Sequence, residues 1–220
     1  CTNMTCTGFT GSFSPSADKN SNYINVYGNF TLPGGGNNIN PGIVFTLLGG
    51  AVTQNITSNG STIGNLILNG SFPTTTYKFI DNFSTAIAGA GAGYSINLYT
   101  GILDANDNNI TTNFFAVSGA SSKSVLMGSG TWTLAGGAPG GETVWGVGGG
   151  TNVTLIDGSR ATIQVTRATG AGKYFNLYGG TYKKIILGGA SGAGGEWRFY
   201  GGGTIDQLIT TISDLIYFVI

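Results

Sequence analysis

Residues 173–189 read KYFNLYGG and then TYKKIILGG, two short runs of alternating side chains that each end in a pair of glycines. Residues 196–203 repeat the pattern as EWRFYGGG. Successive side chains of a β-strand point to opposite faces, so each run offers one apolar set and one polar or small set. Glycine adopts positive φ without a Cβ clash and suits the tight corner that follows each run. This stretch therefore predicts short strands joined by glycine corners.

The same pattern recurs along the chain, as in residues 131–134 (TWTL) and residues 161–166 (ATIQVT). The polar positions are mostly Thr, Ser and Asn rather than Lys and Glu, which suits stacked strands whose polar residues form ladders. The apolar positions should face a common core. They are Trp132 and Leu134, Ile163 and Val165, Phe175 and Leu177, Ile185 and Leu187, and Trp197 and Phe199.

We therefore expect an all-β chain that folds as a β-solenoid, specifically a right-handed parallel β-helix. A β-sandwich or jelly roll is the alternative, although its turns usually come every 8–12 residues with longer loops among them. Residues 1–22 show little alternation and predict an irregular connecting segment, whereas residues 23–220 predict one β-helix-like domain. Because the chain stops inside the apolar run 215–220, we expect it to be a piece of a longer polypeptide.

Composition excludes several functional classes. The 220 residues include 40 Gly, nine basic and nine acidic side chains, and no His. A neutral chain with few cations is a poor partner for phosphate backbones, so we expect no nucleic acid. The lack of His removes the usual proton shuttle and the serine-type triad. The apolar run 215–220 is far shorter than the roughly 18 residues of a membrane helix, so we expect no membrane insertion.

Cofactor and metal sites are not predicted. The glycine-rich stretches 89–93 and 188–195 lack the Lys-Ser/Thr of a phosphate loop. Cys1 and Cys6 are either two independent thiols or a local disulfide, and without His they supply too few ligands for zinc. Asp104, Asn106 and Asn108 alternate as in a calcium loop, but the sixth and twelfth positions of that loop are not Gly and Glu.

Asp104 and Asp107 form the one close acidic pair in the sequence. Many β-helix proteins cleave polysaccharides with paired acids, because glycosidic cleavage needs an acid and a base or nucleophile at a set separation. The pair lies in the segment DANDNN, where Asp and Asn favour turns by bonding to their own backbone. We therefore predict a turn here and no catalytic residues.

A strip of aromatic residues is the candidate binding surface. Aromatic rings with a polar tip suit the faces of sugars, so outward-facing tyrosines beside a cation predict a carbohydrate contact. Alternatively, the tyrosines cover one face of the solenoid or pack against a neighbouring chain. The candidate residues are Tyr174, Tyr178, Tyr182, Tyr200 and Arg198.

Residues 101–134 resemble a repeat module of large Gly/Thr-rich proteins of tailed bacteriophages and some bacterial surface proteins. The matching segments are GILDANDNNITT (101–112), FAVSG (115–119) and SSKSVLMGSGTWTL (121–134), followed by Val144-Trp145. The resemblance extends over residues 94–211, about half of the chain, and carries no catalytic residues with it. It implies a β-helix stalk of a virion fibre or an adhesin.

Together these features predict a non-enzymatic structural and attachment module of a phage virion, in a tail fibre or a tail-associated protein. Its expected place is extracellular, at the virion surface, without a cofactor. Expected partners are copies of itself, including a trimer, other virion proteins, and a host surface glycan. The alternatives are a bacterial cell-surface adhesin and a polysaccharide-degrading β-helix enzyme.

Overall fold

The computed structural model describes residues 1–6, 23–34, 39, 42–50, 52–86, 95–136, 143–146, 152–166, 172–188, 196–211 and 215–219. Most of the predicted connecting segment 1–22 and of the two glycine-rich stretches named above lies outside these ranges. Every regular element within them is a β-strand. The strands are β1 (Met4–Thr5), β2 (Tyr23–Val26), β3 (Phe30–Thr31), β4 (Val44–Leu47), β5 (Thr53–Thr57), β6 (Thr62–Ile63), β7 (Asn65–Asn69), β8 (Thr76–Phe79), β9 (Phe83–Thr85), β10 (Ser95–Asp104), β11 (Ile110–Thr112), β12 (Phe114–Val117), β13 (Ser122–Leu126), β14 (Thr131–Leu134), β15 (Thr143–Trp145), β16 (Asn152–Val165), β17 (Gly172–Asn176), β18 (Thr181–Leu187), β19 (Glu196–Tyr200), β20 (Thr204–Thr210) and β21 (Leu215–Phe218).

The strands wind into a solenoid with three faces. Face 1 holds β2, β4, β7, the first part of β10, β12, β15, β17, β19 and β21. Face 2 holds β1, β3, β5, β8, the second part of β10, β13, the first part of β16, and the starts of β18 and β20. Face 3 holds β6, β9, β11, β14 and the ends of β16, β18 and β20.

All strand pairings among the described residues are parallel, and each joins one coil to the next. A β-sandwich is built from antiparallel hairpins, so that alternative is wrong and the predicted all-β solenoid is confirmed. The right-handed sense of the coil stays a prediction.

Face 1 sends a continuous column of large apolar side chains into the core. Its members, in register from coil to coil, are Ile24, Phe45, Leu66, Ile96, Phe115, Trp145, Phe175, Phe199 and Phe218. From Phe115 onward the column is aromatic, and neighbouring ring centroids are 4.7 to 5.7 Å apart. That spacing combines the roughly 4.8 Å between paired strands with the offset geometry that aromatic rings prefer.

The predicted inward sets are confirmed. All ten residues, from Trp132 and Leu134 to Trp197 and Phe199, are buried in one continuous core. In β14 and β19, buried Trp, Leu and Phe side chains alternate with half-buried ones, so each strand buries one face and leaves the other partly in solvent.

Asparagine side chains join successive coils at their corners. Asn3 Oδ1 accepts a 2.7 Å hydrogen bond from the Asn29 backbone N–H, and Asn29 Oδ1 accepts one of 2.9 Å from the Asn55 N–H. The same arrangement recurs from Asn82 to Asn109 and from Asn109 to Thr131. Because corner N–H groups lack a strand partner, the amide side chain of the coil below satisfies them.

No helix in the described ranges is long and apolar enough to span a membrane.

We predict that Trp145→Ala lowers the free energy of unfolding by about 3–5 kcal/mol, because it leaves a cavity in the middle of the aromatic column. Trp145 contacts Phe115, Trp132, Phe175 and Tyr182. Urea denaturation followed by far-UV circular dichroism measures the change. The control is Tyr99→Ala, an exposed position of β10, which should shift stability by about 0.5 kcal/mol or less. Equal losses in the two variants would contradict the central role of the column.

Candidate functional site

Three aspartates, two from one coil and one from two coils further on, meet at one polar pocket of about 290 Å³. Asp104 ends β10, Asp107 lies in the turn that follows, and Asp157 lies in β16. Asp104 and Asp157 flank Leu126 of β13 in parallel register, so they stand two strands apart, about 10 Å between Cα atoms. The stacking of the coils is what brings Asp104 and Asp157 to the same pocket. The pocket is lined by Asp104, Asn106, Asp107, Leu126, Gly128, Asp157 and Arg160.

Asp104 and Asn106 form the turn that the sequence predicts. The Asn106 N–H donates to Asp104 Oδ1 at 2.8 Å, and Asn106 and Asp107 both have positive φ, 51° and 62°. Asn106 Nδ2 donates to the Phe79 carbonyl of the coil below at 3.1 Å. Asp104 Oδ2 also lies 3.6 Å from Lys78 Nζ. Hydrogen bonds within the turn, together with a hydrogen bond and an ion pair to the coil below, thus hold the turn in place.

Asp107 connects its turn to the coils above. Its Oδ1 accepts hydrogen bonds from the Ser129 backbone N–H at 2.7 Å and from Arg160 Nη2 at 3.1 Å. Gly128 makes this approach possible: it has φ of 68°, and a Cβ at this position would come within 2.5 Å of the Asp107 N atom. The bonds to Ser129, followed by the Arg160 charge, lower the pKa of the Asp107 carboxyl.

Asp157 is held by its own turn. Its Oδ1 accepts from the Ser159 hydroxyl at 2.6 Å and from the Ser159 backbone N–H at 3.1 Å. These bonds, with a smaller contribution from Arg160, lower the pKa of the Asp157 carboxyl. Asp107 and Asp157 are therefore both charged at neutral pH, and Arg160 serves as their shared counter-ion.

Asp107 and Asp157 are carboxylates at neutral pH, a state that favours accepting a proton over donating one. Glycosidic cleavage by two acids requires one carboxyl that stays protonated until it donates to the leaving oxygen. Lowered pKa values at Asp107 and Asp157 give two bases and no proton donor between them.

Within the described ranges, no group of three or more His, Cys, Asp or Glu side chains is arranged to hold a metal ion.

Three of the predicted surface residues form a cluster on face 1, which we call the tyrosine–arginine cluster: Tyr174, Arg198 and Tyr200. The Tyr174 and Tyr200 rings are 5.9 Å apart, and the Arg198 guanidinium carbon lies 5.9 Å from the Tyr174 ring centroid. Arg198 also pairs with Glu196. Hydrogen bonds to Tyr200 and to Glu196 raise the pKa of Arg198. All three side chains are half-buried and point outward, and the charge of Arg198 is paired with that of Glu196.

Tyr182 does not belong to this cluster, and its predicted outward position is wrong. Its side chain is buried, its hydroxyl accepts from Trp145 Nε1 at 3.2 Å, and it donates to the Leu177 carbonyl at 2.9 Å. Burial raises its pKa. Uninterrupted alternation from Ile185 would place Tyr182 outside, but β18 turns the corner between faces 2 and 3 at residues 183–184, and the alternation changes phase there.

Tyr178 also lies away from the cluster, at a corner. It has a positive φ of 49°, and its N–H donates to Asn176 Oδ1 at 3.0 Å. Its ring covers Gly146 of the coil below, where a Cβ would come within 2.4 Å of Tyr178 Cε2. The tyrosine therefore closes a corner instead of extending the outward strip.

The sequence did not reveal that Asp157 and Arg160 join Asp104 and Asp107. They are separated by about 50 residues, and no local motif connects them. The register of β10, β13 and β16 is what brings them together. Cys1 and Cys6 are free thiols, so the local disulfide considered from the sequence is not formed.

No family model, no curated protein and no solved structure matches the chain.

We predict that Ser159→Ala raises the pKa of Asp157, because the carboxylate loses its shortest hydrogen bond. The pKa of Asp107 should not change, because its bonds come from Ser129 and Arg160. Carboxyl titration by ¹³C NMR measures both groups in one experiment, so Asp107 is the internal control.

The same bond should make stability depend on pH. A lowered pKa in the folded state stabilises the protein above the unfolded Asp value of about 3.9, and that contribution is lost as pH falls through the folded pKa. The stability difference between wild type and Ser159→Ala should therefore be constant from pH 7 to 5 and shrink below about pH 4. An unchanged Asp157 pKa in the variant would contradict this assignment.

Proposed function

We propose that the chain is a non-enzymatic structural and attachment module of a bacteriophage virion, in a tail fibre or a tail-associated protein at the virion surface. The observation that carries the proposal is the stack of parallel coils around one aromatic column, an architecture that extends in one dimension. Each coil contacts only its neighbours, so coils can be added along one axis and the stack can become long. A long stack can hold an attachment surface at a distance from the particle. The resemblance of residues 94–211 to phage repeat modules supports the same assignment.

The surface chemistry is consistent with an attachment role outside the cell. Outward strand positions are mainly Thr, Ser and Asn, and the formal net charge is zero. Such a surface attracts neither nucleic acid nor other strongly charged polymers. The proposed partners are further copies of the chain, including a trimer, other virion proteins and a host surface glycan.

The tyrosine–arginine cluster is the proposed glycan contact. Tyr174 and Tyr200 present two adjacent rings, and Arg198 is held beside them by Glu196 and by the Tyr174 face. Because these side chains are already positioned by their neighbours, little conformational entropy is lost when a sugar stacks on them. Arg198, which is paired with Glu196, places guanidinium N–H donors beside the rings, and such donors suit the hydroxyl groups of a sugar.

Antibodies raised against the recombinant chain test the main proposal. Immunogold electron microscopy of the source material should label the tails of virus particles. Labelling confined to bacterial envelopes would favour the cell-surface adhesin instead, and would contradict the virion assignment.

We predict that Tyr174→Ala combined with Tyr200→Ala raises the Kd for host surface glycans by about tenfold or more, because two stacking rings are removed. Binding to an immobilised glycan panel is the measurement. The matched control is Tyr23→Ala combined with Tyr27→Ala, two exposed tyrosines at the other end of the described solenoid. If both double variants bind as well as wild type, the cluster is not the contact.

A polysaccharide-degrading enzyme is the second candidate, and the pocket of Asp104, Asp107 and Asp157 is the observation that favours it. Release of reducing ends from host capsular polysaccharide would support this candidate if Asp107→Asn combined with Asp157→Asn abolished it. Asp206→Asn is the control, because Asp206 pairs with Lys183 outside the pocket. Clear wild-type cleavage that depends on the two pocket residues would overturn the non-enzymatic assignment.

A further inference from the structure

Face 3 presents a regular array of short, uncharged side chains to the outside. Four successive coils contribute two outward residues each, and one buried residue stands between the two. In the next coil, Lys184 and Ile186 occupy the equivalent positions and end the array. We call these eight residues the face 3 array: Asn82, Ser84, Asn109, Thr111, Thr131, Thr133, Thr162 and Gln164.

The spacing of the array is set by uninterrupted strand pairing. Ser84, Thr111, Thr133 and Gln164 follow one another in register from β9 to β16, and these pairings contain no register shift. The pairings on faces 1 and 2 do contain shifts. Outward side chains of face 3 therefore repeat at about 4.8 Å along the solenoid and at about 7 Å along each strand.

The hydroxyl groups of the array are not used inside the molecule. In the part of the chain that the structure describes, the side-chain oxygens of Ser84, Thr111 and Thr133 have no hydrogen-bond partner. The inward hydroxyls of Thr85 and Thr112, by contrast, bond to each other at 3.1 Å. Each outward hydroxyl can therefore both donate to and accept from an external partner.

The side chains of the array are also held in place. Asn82 Oδ1 accepts a 2.9 Å hydrogen bond from the Asn109 N–H, and Asn109 Oδ1 accepts one of 2.8 Å from the Thr131 N–H. Threonine is β-branched and has few χ1 rotamers, so the hydroxyls of Thr111 and Thr133 keep nearly fixed positions. A pre-positioned array loses little conformational entropy when it binds.

The occupant of this array must be uncharged and must repeat in two directions. A single glycan chain repeats along one line only. Face 3 of a second copy would have the same two spacings, but homodimer interfaces are rich in apolar area, and the array consists of polar residues. On the faces of hexagonal ice, water oxygens repeat in two directions at distances comparable with both spacings, and every water molecule is an uncharged donor and acceptor.

We propose that the face 3 array binds the surface of ice, through water molecules that its hydroxyl and amide groups hold at the spacing of the array. The inference depends on face 3 alone. It can fail while the virion assignment holds, and it can hold on an adhesin.

Inhibition of ice recrystallisation, together with partition of the protein into a slowly growing ice front, tests the proposal with ice itself as the probe. Wild type should enter the ice and should stop the crystals from coarsening. Thr111→Lys combined with Thr133→Lys should raise the protein concentration needed for inhibition about tenfold or more, because two long charged side chains keep the array away from the ice. The matched control is Thr53→Lys combined with Thr76→Lys, two outward threonines in register on face 2, which should act like wild type.

An uncharged variant separates the effect of shape from that of charge and from loss of the fold. Thr133→Tyr keeps a residue that suits a strand, and it should also weaken inhibition, whereas Thr76→Tyr should not. Far-UV circular dichroism should show the same β content in all variants. A wild type that is excluded from ice, or equal losses in the face 2 variants, would overturn the proposal. A dimer that Thr111→Lys with Thr133→Lys separates, in a wild type that ice excludes, would assign face 3 to a second copy and overturn it as well.

Discussion

Parallel hydrogen bonding between successive coils is the constraint on which this structure depends. Most described strands pair with the strand one coil earlier and the strand one coil later, so side chains on equivalent positions form columns at a spacing of about 4.8 Å. Whether a side chain fits at a given position therefore depends on the side chains directly above and below it in the same column. The aromatic column from Phe115 to Phe218 satisfies this requirement, since flat rings stack well at that distance.

At the corners the backbone leaves the hydrogen-bonded ladder, so its N–H groups need other acceptors. Asn and Asp side chains accept hydrogen bonds from N–H groups of the next coil, as Asn29 does from Asn55 and Asp107 does from Ser129. Glycine is needed where two corners come too close for a Cβ, as at Gly128. The abundance of Asn and Gly in this chain thus reflects the stacking of corners. It also explains how three aspartates from two coils come to line one pocket.

Two surfaces of the molecule have different chemical characters. In the aspartate pocket, Arg160 and Lys78 offset part of the negative charge and turn N–H groups donate to the carboxylates, which is typical of a corner that holds coils together. The tyrosine–arginine cluster instead presents two aromatic rings and the Arg198–Glu196 ion pair outward on face 1. In the function that we propose, the flat face 1 therefore carries recognition and the aspartate pocket has a structural role. In the enzymatic alternative, the aspartate pocket would carry the chemistry.

The sequence by itself determined the β class, the glycine corners and the inward sets such as Trp132 with Leu134 and Phe175 with Leu177, because strand alternation is a local property. It also predicted the turn at Asp104. Only the tertiary structure decided that Tyr182 is buried, since β18 changes phase as it turns between two faces. Only coil stacking brought Asp157 and Arg160 to Asp107. Successive members of the core column from Phe45 onward lie 19 to 30 residues apart, so no fixed period could reveal which residues meet.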